Sequence, residues 1–190
     1  MEDLAAVIEL AGGSADVYAI SSGVIIALDT AARGAGIRRL ALYEAPLVTE
    51  GQSTTVPDDM AGVMERLVQE GDRAGAVRLF MRTVGVPPFV VRLMRFMPAW
   101  PKLIKVAHTL PYDFRFLAGL QAGSALPRDR WATVTMPALV MAGGKSPEHM
   151  QQANRDLSAV LPAAEYRMIP GQTHMLKASA VAPVLTSFFG

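Results

Sequence analysis

Near the N-terminus helix and strand alternate in the order α-β-α-β, and that order leaves few folds open. The run Val17-Tyr18-Ala19-Ile20 is short and rich in β-forming residues, and Ser21-Ser22-Gly23 interrupts it. An apolar segment from Val24 to Ala32 follows and ends at Gly34 and Gly36, before a second β-rich run at Leu40–Tyr43 closes at Glu44-Ala45-Pro46. Strand, tight turn, buried helix, strand is the pattern of a crossover between parallel neighbours, which cannot be joined by a short hairpin. Ahead of it, Leu4, Val7, Ile8 and Ala11 recur at helical spacing until Gly12-Gly13.

From about residue 57 to 123 the period changes. Met60, Val63, Met64, Leu67 and Val68 keep helical spacing behind Pro57-Asp58-Asp59, which supplies a capping aspartate. Val77, Phe80, Met81 and Val84 repeat the spacing, and Val90, Leu93, Met94 and Met97 do so after Pro87-Pro88. Met60, Met64, Met81, Met94, Met97, Phe80, Phe89, Phe96 and Trp100 read mainly as core positions of packed helices, with an apolar pocket lining as the alternative. The interleaved Arg78, Arg82, Arg92 and Arg95 read as solvated faces.

At Pro137 the β-α rhythm returns, with a strand at Ala138–Ala142, a turn at Gly143-Gly144, and a helix carrying Met150, Ala153, Leu157, Val160 and Leu161. A strand near Glu165–Ile169 and a helix ending at Phe188 complete the chain. The expected fold is therefore α/β: a parallel sheet of about four strands flanked by helices, formed by residues 1–50 and 132–190. Residues 51–131 form an all-helical insertion. A length of 190 residues allows one domain carrying such a subdomain.

Charge and composition remove whole classes of function. With 18 basic and 17 acidic residues there is no broad field to hold nucleic acid or an anionic membrane surface. Cysteine is absent, so disulfides, thiolate metal sites and thiol nucleophiles are excluded. His108, His149 and His174 are too scattered to form a ligand pair on one helix turn, and no metal is expected. Gly144-Lys145-Ser146 ends like a phosphate-binding loop, but the first glycine of that motif would fall at Leu139; nucleotide cofactors are not expected either. No apolar run reaches the ~18 residues of a membrane span, and Met1-Glu2-Asp3 does not open like a secretion signal, so the expected location is cytoplasmic.

Two positions carry the chemistry that remains. Ala19-Ile20-Ser21-Ser22-Gly23 matches a relaxed G-x-S-x-G, in which small residues two places either side of the serine let strand end and helix start nearly touch. Alanine in the first place leaves an ordinary β-α loop as the alternative. A serine nucleophile needs a base, most often an imidazole held by a carboxylate. Gly171-Gln172-Thr173-His174 lies where the last strand hands over to the last helix, on the same carboxyl edge of a parallel sheet as Ser21. A surface or capping role is the other reading of His174, as it is for His108 and His149.

Over nearly its whole length the sequence resembles the α/β-hydrolase fold family. Val17 to Gly23 resembles that family's nucleophile elbow, Met136 to Gly144 the strand that leads to the triad acid, and Gly171 to His174 its histidine loop; the helical middle is similar to its lid. The resemblance implies Ser21 as nucleophile, Ser22 as donor of an oxyanion-hole backbone N–H, and His174 as base. The family's usual acid place holds Ser146; some members carry the acid after the strand that follows the nucleophile helix, where Glu44 stands, with a structural carboxylate as the alternative. The strands and oxyanion loop that precede the elbow in the family are not found, so Val17–Ile20 is expected to form an apolar sheet edge on which a second copy could pair. The implied activity is that of a cofactor-free serine hydrolase acting on an ester or related acyl bond of a small apolar substrate. The rival expectation is a truncated, catalytically inert module that binds or oligomerises.

Overall fold

The structure, a computed structural model, describes residues 1–53 and 56–190. In chain order its elements begin with α1 (Glu2–Leu10), β1 (Ala15–Ile20), α2 (Gly23–Ala32) and β2 (Ile37–Tyr43). Next come α3 (Met60–Gln69), α4 (Arg73–Thr83), α5 (Pro88–Met94), α6 (Trp100–Val106) and α7 (Leu110–Leu117). The last are β3 (Ala138–Gly143), α8 (Glu148–Val160), β4 (Ala164–Ile169) and α9 (Ala178–Phe189). Among the described residues no helix is long and apolar enough to cross a membrane.

The four described strands form one parallel sheet in the order β1-β2-β3-β4. β1 and β2 begin two or three residues earlier than their apolar runs suggest. The added positions include Asp16, Arg38 and Arg39, and the pair of Asp16 with Arg38, 2.9 Å apart, keeps polar side chains in the ladder at the solvated start of the strands. Hydrophobicity alone cuts such positions off.

Burial rises toward the middle of the sheet. Every residue of β3 is buried, and so are Leu40 to Tyr43 of β2, as a parallel sheet covered on both faces requires. Ala41, Tyr43, Leu139 and Met141 lie on one face, against Val181 and the partly buried Val184, Leu185 and Phe188 of α9. The alternate residues Leu40, Leu42 and Val140 therefore face the other way, where the crossover helices α2 and α8 pack on the strands they connect. Each fully buried leucine here contributes about 1.5–3 kcal/mol of apolar burial. In α2, Val24, Ile25, Ala27, Leu28 and Ala31 are buried, which explains an apolar run with so weak a helical period.

The chain divides into two compact units, residues 1–53 with 123–190, and residues 54–122. Residues 123–131 thus belong with the sheet, inside the stretch that hydrophobic spacing assigns to the insertion. Trp131 explains why: it is fully buried, its indole N–H donates to Asp29 of α2 at 2.9 Å, and Arg130 grips the same carboxylate at 2.9 and 2.6 Å.

The second unit is helical throughout its described elements. Asp59 caps α3 by accepting from the Gly62 N–H at 3.1 Å, and Asp72 caps α4 through Gly75 at 2.7 Å. One cluster gathers Met60, Met64, Ala76 and Phe114, and another Val77, Trp100 and Ala107. The apolar stripe divides: Met60, Met64 and Trp100 are core, whereas Phe89, Phe96 and Met97 are exposed.

Candidate active site

Because every strand runs the same way and the register pairs Ile20 with Tyr43, Tyr43 with Met141 and Gly143 with Ile169, the residues that follow each strand share one rim of the sheet. Ser21 follows β1, Glu44 follows β2, Ser146 lies three residues past β3, and His174 lies in the loop after β4.

Ser21 sits at φ +58°, in the left-handed region that side chains other than glycine rarely enter. Its N–H donates to the Tyr43 carbonyl at 2.9 Å, continuing the ladder, while its own carbonyl already accepts from Val24 at 3.0 Å and starts α2. The chain turns from strand to helix within this one residue. Its hydroxyl is left partly exposed, and Ser22 becomes the first residue of the helical turn, its carbonyl accepting from Ile25 at 3.1 Å.

Glu44 repeats the geometry one strand over, with φ +47°. Among the described residues, these two are the only ones other than glycine with positive φ. The turn drives the Glu44 side chain inward, where it is fully buried and fully engaged. Its Oε2 lies 2.8 Å from His174 Nδ1; its Oε1 accepts from the Gly143 N–H at 2.7 Å and from the Ser146 hydroxyl. Burial alone would raise this carboxyl, but the bonds from His174, Ser146 and Gly143 outweigh it and hold Glu44 below the ordinary glutamate range. The partners of a structural carboxylate are therefore present, and one of them is the imidazole.

The ionised carboxylate fixes the imidazole in turn. An acceptor at 2.8 Å places the ring proton on Nδ1, which leaves Nε2 with a free lone pair. The His174 side chain is 43% exposed.

The loop carrying His174 is held by the neighbouring strand ends. The Tyr43 hydroxyl donates to the Thr173 carbonyl at 2.7 Å, and the Lys145 and Gly144 N–H groups donate to Gln172 and Ile169 at 2.8 and 2.9 Å. Burial, then the charge of Glu44, pushes the Tyr43 phenol up, so it stays a proton donor. Gly143 is required by close approach: a Cβ there would lie 2.5 Å from the Gln172 carbonyl oxygen and 2.7 Å from the Tyr43 hydroxyl.

The structure thus joins Glu44 to His174 directly and places Ser21 and Ser22 on the same rim. No hydrogen bond joins the Ser21 hydroxyl to the imidazole. His149 is exposed in the first turn of α8, and His108 is exposed and Nδ1-bonded to the Lys105 carbonyl at 3.0 Å. Among the described residues no group of three or more histidine or carboxylate side chains is disposed to hold a metal ion. Tyr43, Gly143, Ser146 and Thr173 are parts of the site that sequence reasoning missed. Ser146 did carry a signal, since it stands where the family resemblance looks for the acid: it donates to the Glu44 carboxylate, which follows the neighbouring strand.

No family model and no curated protein sequence matches the chain. Among solved structures it is similar to an alpha/beta hydrolase from Sphaerobacter thermophilus DSM 20745, at 40% identity over all of this chain and 72% of that one, with a TM-score of 0.87. A hydrolase from Pseudomonas aeruginosa PA01 shares 19% identity and a TM-score of 0.69 over all of this chain and 70% of its own. An enol-lactonase from Burkholderia xenovorans LB400 shares 20% and 0.62 over 98% of this chain and 70% of its own. At these lower identities the likeness concerns the fold alone.

Proposed function

The chain belongs to the α/β-hydrolase family, and from that premise we propose that it is a serine hydrolase acting on an ester or related acyl bond of a small apolar substrate, without a cofactor. The observation that carries this reading is the fully buried Glu44 carboxylate 2.8 Å from His174 Nδ1, on the rim where Ser21 occupies a left-handed strand-to-helix turn.

The roles follow from the chemistry of these groups. His174 Nε2 takes the Ser21 proton as Oγ attacks the acyl carbon, and the imidazolium so formed is balanced by Glu44. The Ser22 backbone N–H, at the start of α2, is the proposed donor to the developing oxyanion. The imidazolium then returns its proton to the leaving alcohol, and water repeats the sequence to release the acid. Serine-to-imidazole contacts in free enzymes often close only when substrate is bound, so the lack of a direct bond to Ser21 is compatible with this assignment.

The test is Ser21→Ala, assayed on p-nitrophenyl butyrate together with labelling of both proteins by a fluorophosphonate probe. Loss of turnover and of labelling, with labelling of the parent dependent on His174, is the expected result. A parent chain that neither labels nor turns over the ester would return the protein to the inert-module reading.

A further inference from the structure

The helical unit holds a concave site of its own. A cavity of about 520 Å³ is lined by residues of α4, α5 and α6, and among its walls are four guanidinium groups, Arg78, Arg82, Arg92 and Arg95. Buried Val91 and Trp100 line its apolar part, and the ring of Phe89, 68% exposed, forms an edge. Among the described residues no aspartate or glutamate lines it.

We propose that this cavity binds a small organic anion, one carboxylate or phosphate group carried on a flat apolar body. Sequence supplies the first argument. The forty residues from Arg73 to Tyr112 contain seven arginines and lysines and not one aspartate or glutamate, in a chain whose overall charge is only +1. The four that hydrophobic spacing reads as solvated are exposed in the structure, and the fold gathers them around a single concavity.

Electrostatics supplies the second. Arg78 and Arg82 are four residues apart on α4, so they share a helix face and repel each other without a counter-charge. Arg78 has a distant, solvated partner in Asp72 at 3.6 Å, an arrangement of little strength. Among the described residues no carboxylate pairs with Arg82, Arg92 or Arg95; the Arg95 guanidinium lies 4.5 Å from the centre of the Phe96 ring. Planar guanidinium forks match the oxygens of carboxylate and phosphate, and a bound anion would remove the repulsion.

The apolar lining selects the body of the ligand. An inorganic anion would leave the exposed Phe89 ring uncovered, and a neutral aromatic would leave the arginines without a counter-charge. The volume lies within the range of small-molecule sites, roughly 300–1,000 Å³.

Isothermal titration of the full chain with 1-naphthyl phosphate, 1-naphthol and inorganic phosphate tests the proposal. The expected result is saturable binding of one 1-naphthyl phosphate per chain, with the other two probes at least about tenfold weaker. An Arg82→Gln/Arg92→Gln double variant should lose at least about tenfold in affinity while keeping its circular dichroism and its ester hydrolysis. Equal affinity in the double variant, naphthol binding as tightly as its phosphate, or no saturable heat would each overturn it. Sedimentation of the chain with phosphatidylglycerol vesicles, without binding of the soluble probe, would overturn it in favour of a lipid surface.

Discussion

Replacing Glu44 by glutamine changes one charge and almost no volume, and the hydrogen-bond partners of the side chain decide the outcome. If the amide oxygen keeps the Oε1 place, it still accepts from the Gly143 N–H and from Ser146, and the NH₂ then faces His174 Nδ1. If the amide turns over, its NH₂ meets the Gly143 N–H at a spacing near 2.7 Å, two donors face to face, at a cost of about 1–3 kcal/mol for the unmet group. The first orientation wins. In it Nδ1 must accept, so the ring proton moves to Nε2 and the lone pair that would take the Ser21 proton is gone. The same carboxylate-to-amide change in a serine protease lowers kcat about 10⁴-fold, or ~5.5 kcal/mol of barrier. The assay is kcat for p-nitrophenyl butyrate hydrolysis, with fluorophosphonate labelling in parallel and thermal unfolding as control. A fall of about 10³- to 10⁴-fold with KM little changed is expected. If Glu44→Gln keeps kcat within about tenfold of the parent while Ser21→Ala is inactive, Glu44 is a structural carboxylate and the reasoning fails.

Three further variants probe the support of the site. Ser146→Ala removes a hydrogen bond to a charged group, so stability at neutral pH should fall by about 1.5–3 kcal/mol in urea titration. The same variant has a pH signature. Glu44 titrates below its ordinary 4.5 when folded, so its contribution is complete above that value and is lost as pH falls through the lower folded value; without Ser146 the acid-unfolding midpoint should move up. An unchanged midpoint would count against Ser146 as a donor. Gly143→Ala should cost more than about 2 kcal/mol and abolish turnover, because its Cβ meets the Gln172 carbonyl oxygen and the Tyr43 hydroxyl; a variant with parent-like Tm would show that the loop yields. Tyr43→Phe frees the Thr173 carbonyl next to His174, and kcat should drop by more than the roughly 0.5–1.5 kcal/mol lost in stability. Equal losses would mark the hydroxyl as a stabilising group only.

The sheet and its crossovers were legible because alternating polar turns and apolar runs mark β-α units directly. Val17–Ile20, Leu40–Tyr43, Ala138–Ala142 and Glu165–Ile169 all lie within strands of the structure. The starts of β1 and β2 were not legible, since Asp16 and Arg38 are tolerated by pairing across the ladder, a relation that linear spacing does not carry. Ser21 and His174 could be placed on one rim from topology alone. What topology could not supply was depth. Nothing in Leu42-Tyr43-Glu44-Ala45-Pro46 announces that Glu44 adopts a left-handed backbone or that its side chain turns fully inward. The hydroxyls of Tyr43 and Ser146 stayed hidden for a related reason: their partners, Thr173 and Glu44, lie 130 and 102 residues away. Hydrophobic spacing places Trp131 with the insertion, because the bond to Asp29 that draws it to the sheet spans 102 residues.

The backbone at Ser21 also bears on how this protein can be engineered. A left-handed residue with a Cβ carries a penalty of roughly 1–2 kcal/mol that glycine escapes. A library ranked by melting temperature alone would therefore promote Ser21→Gly, and in doing so it would discard the hydroxyl that we propose as the nucleophile. Thermostabilised descendants of this chain are best sorted for turnover before heat, so that selection cannot trade the proposed nucleophile for backbone comfort.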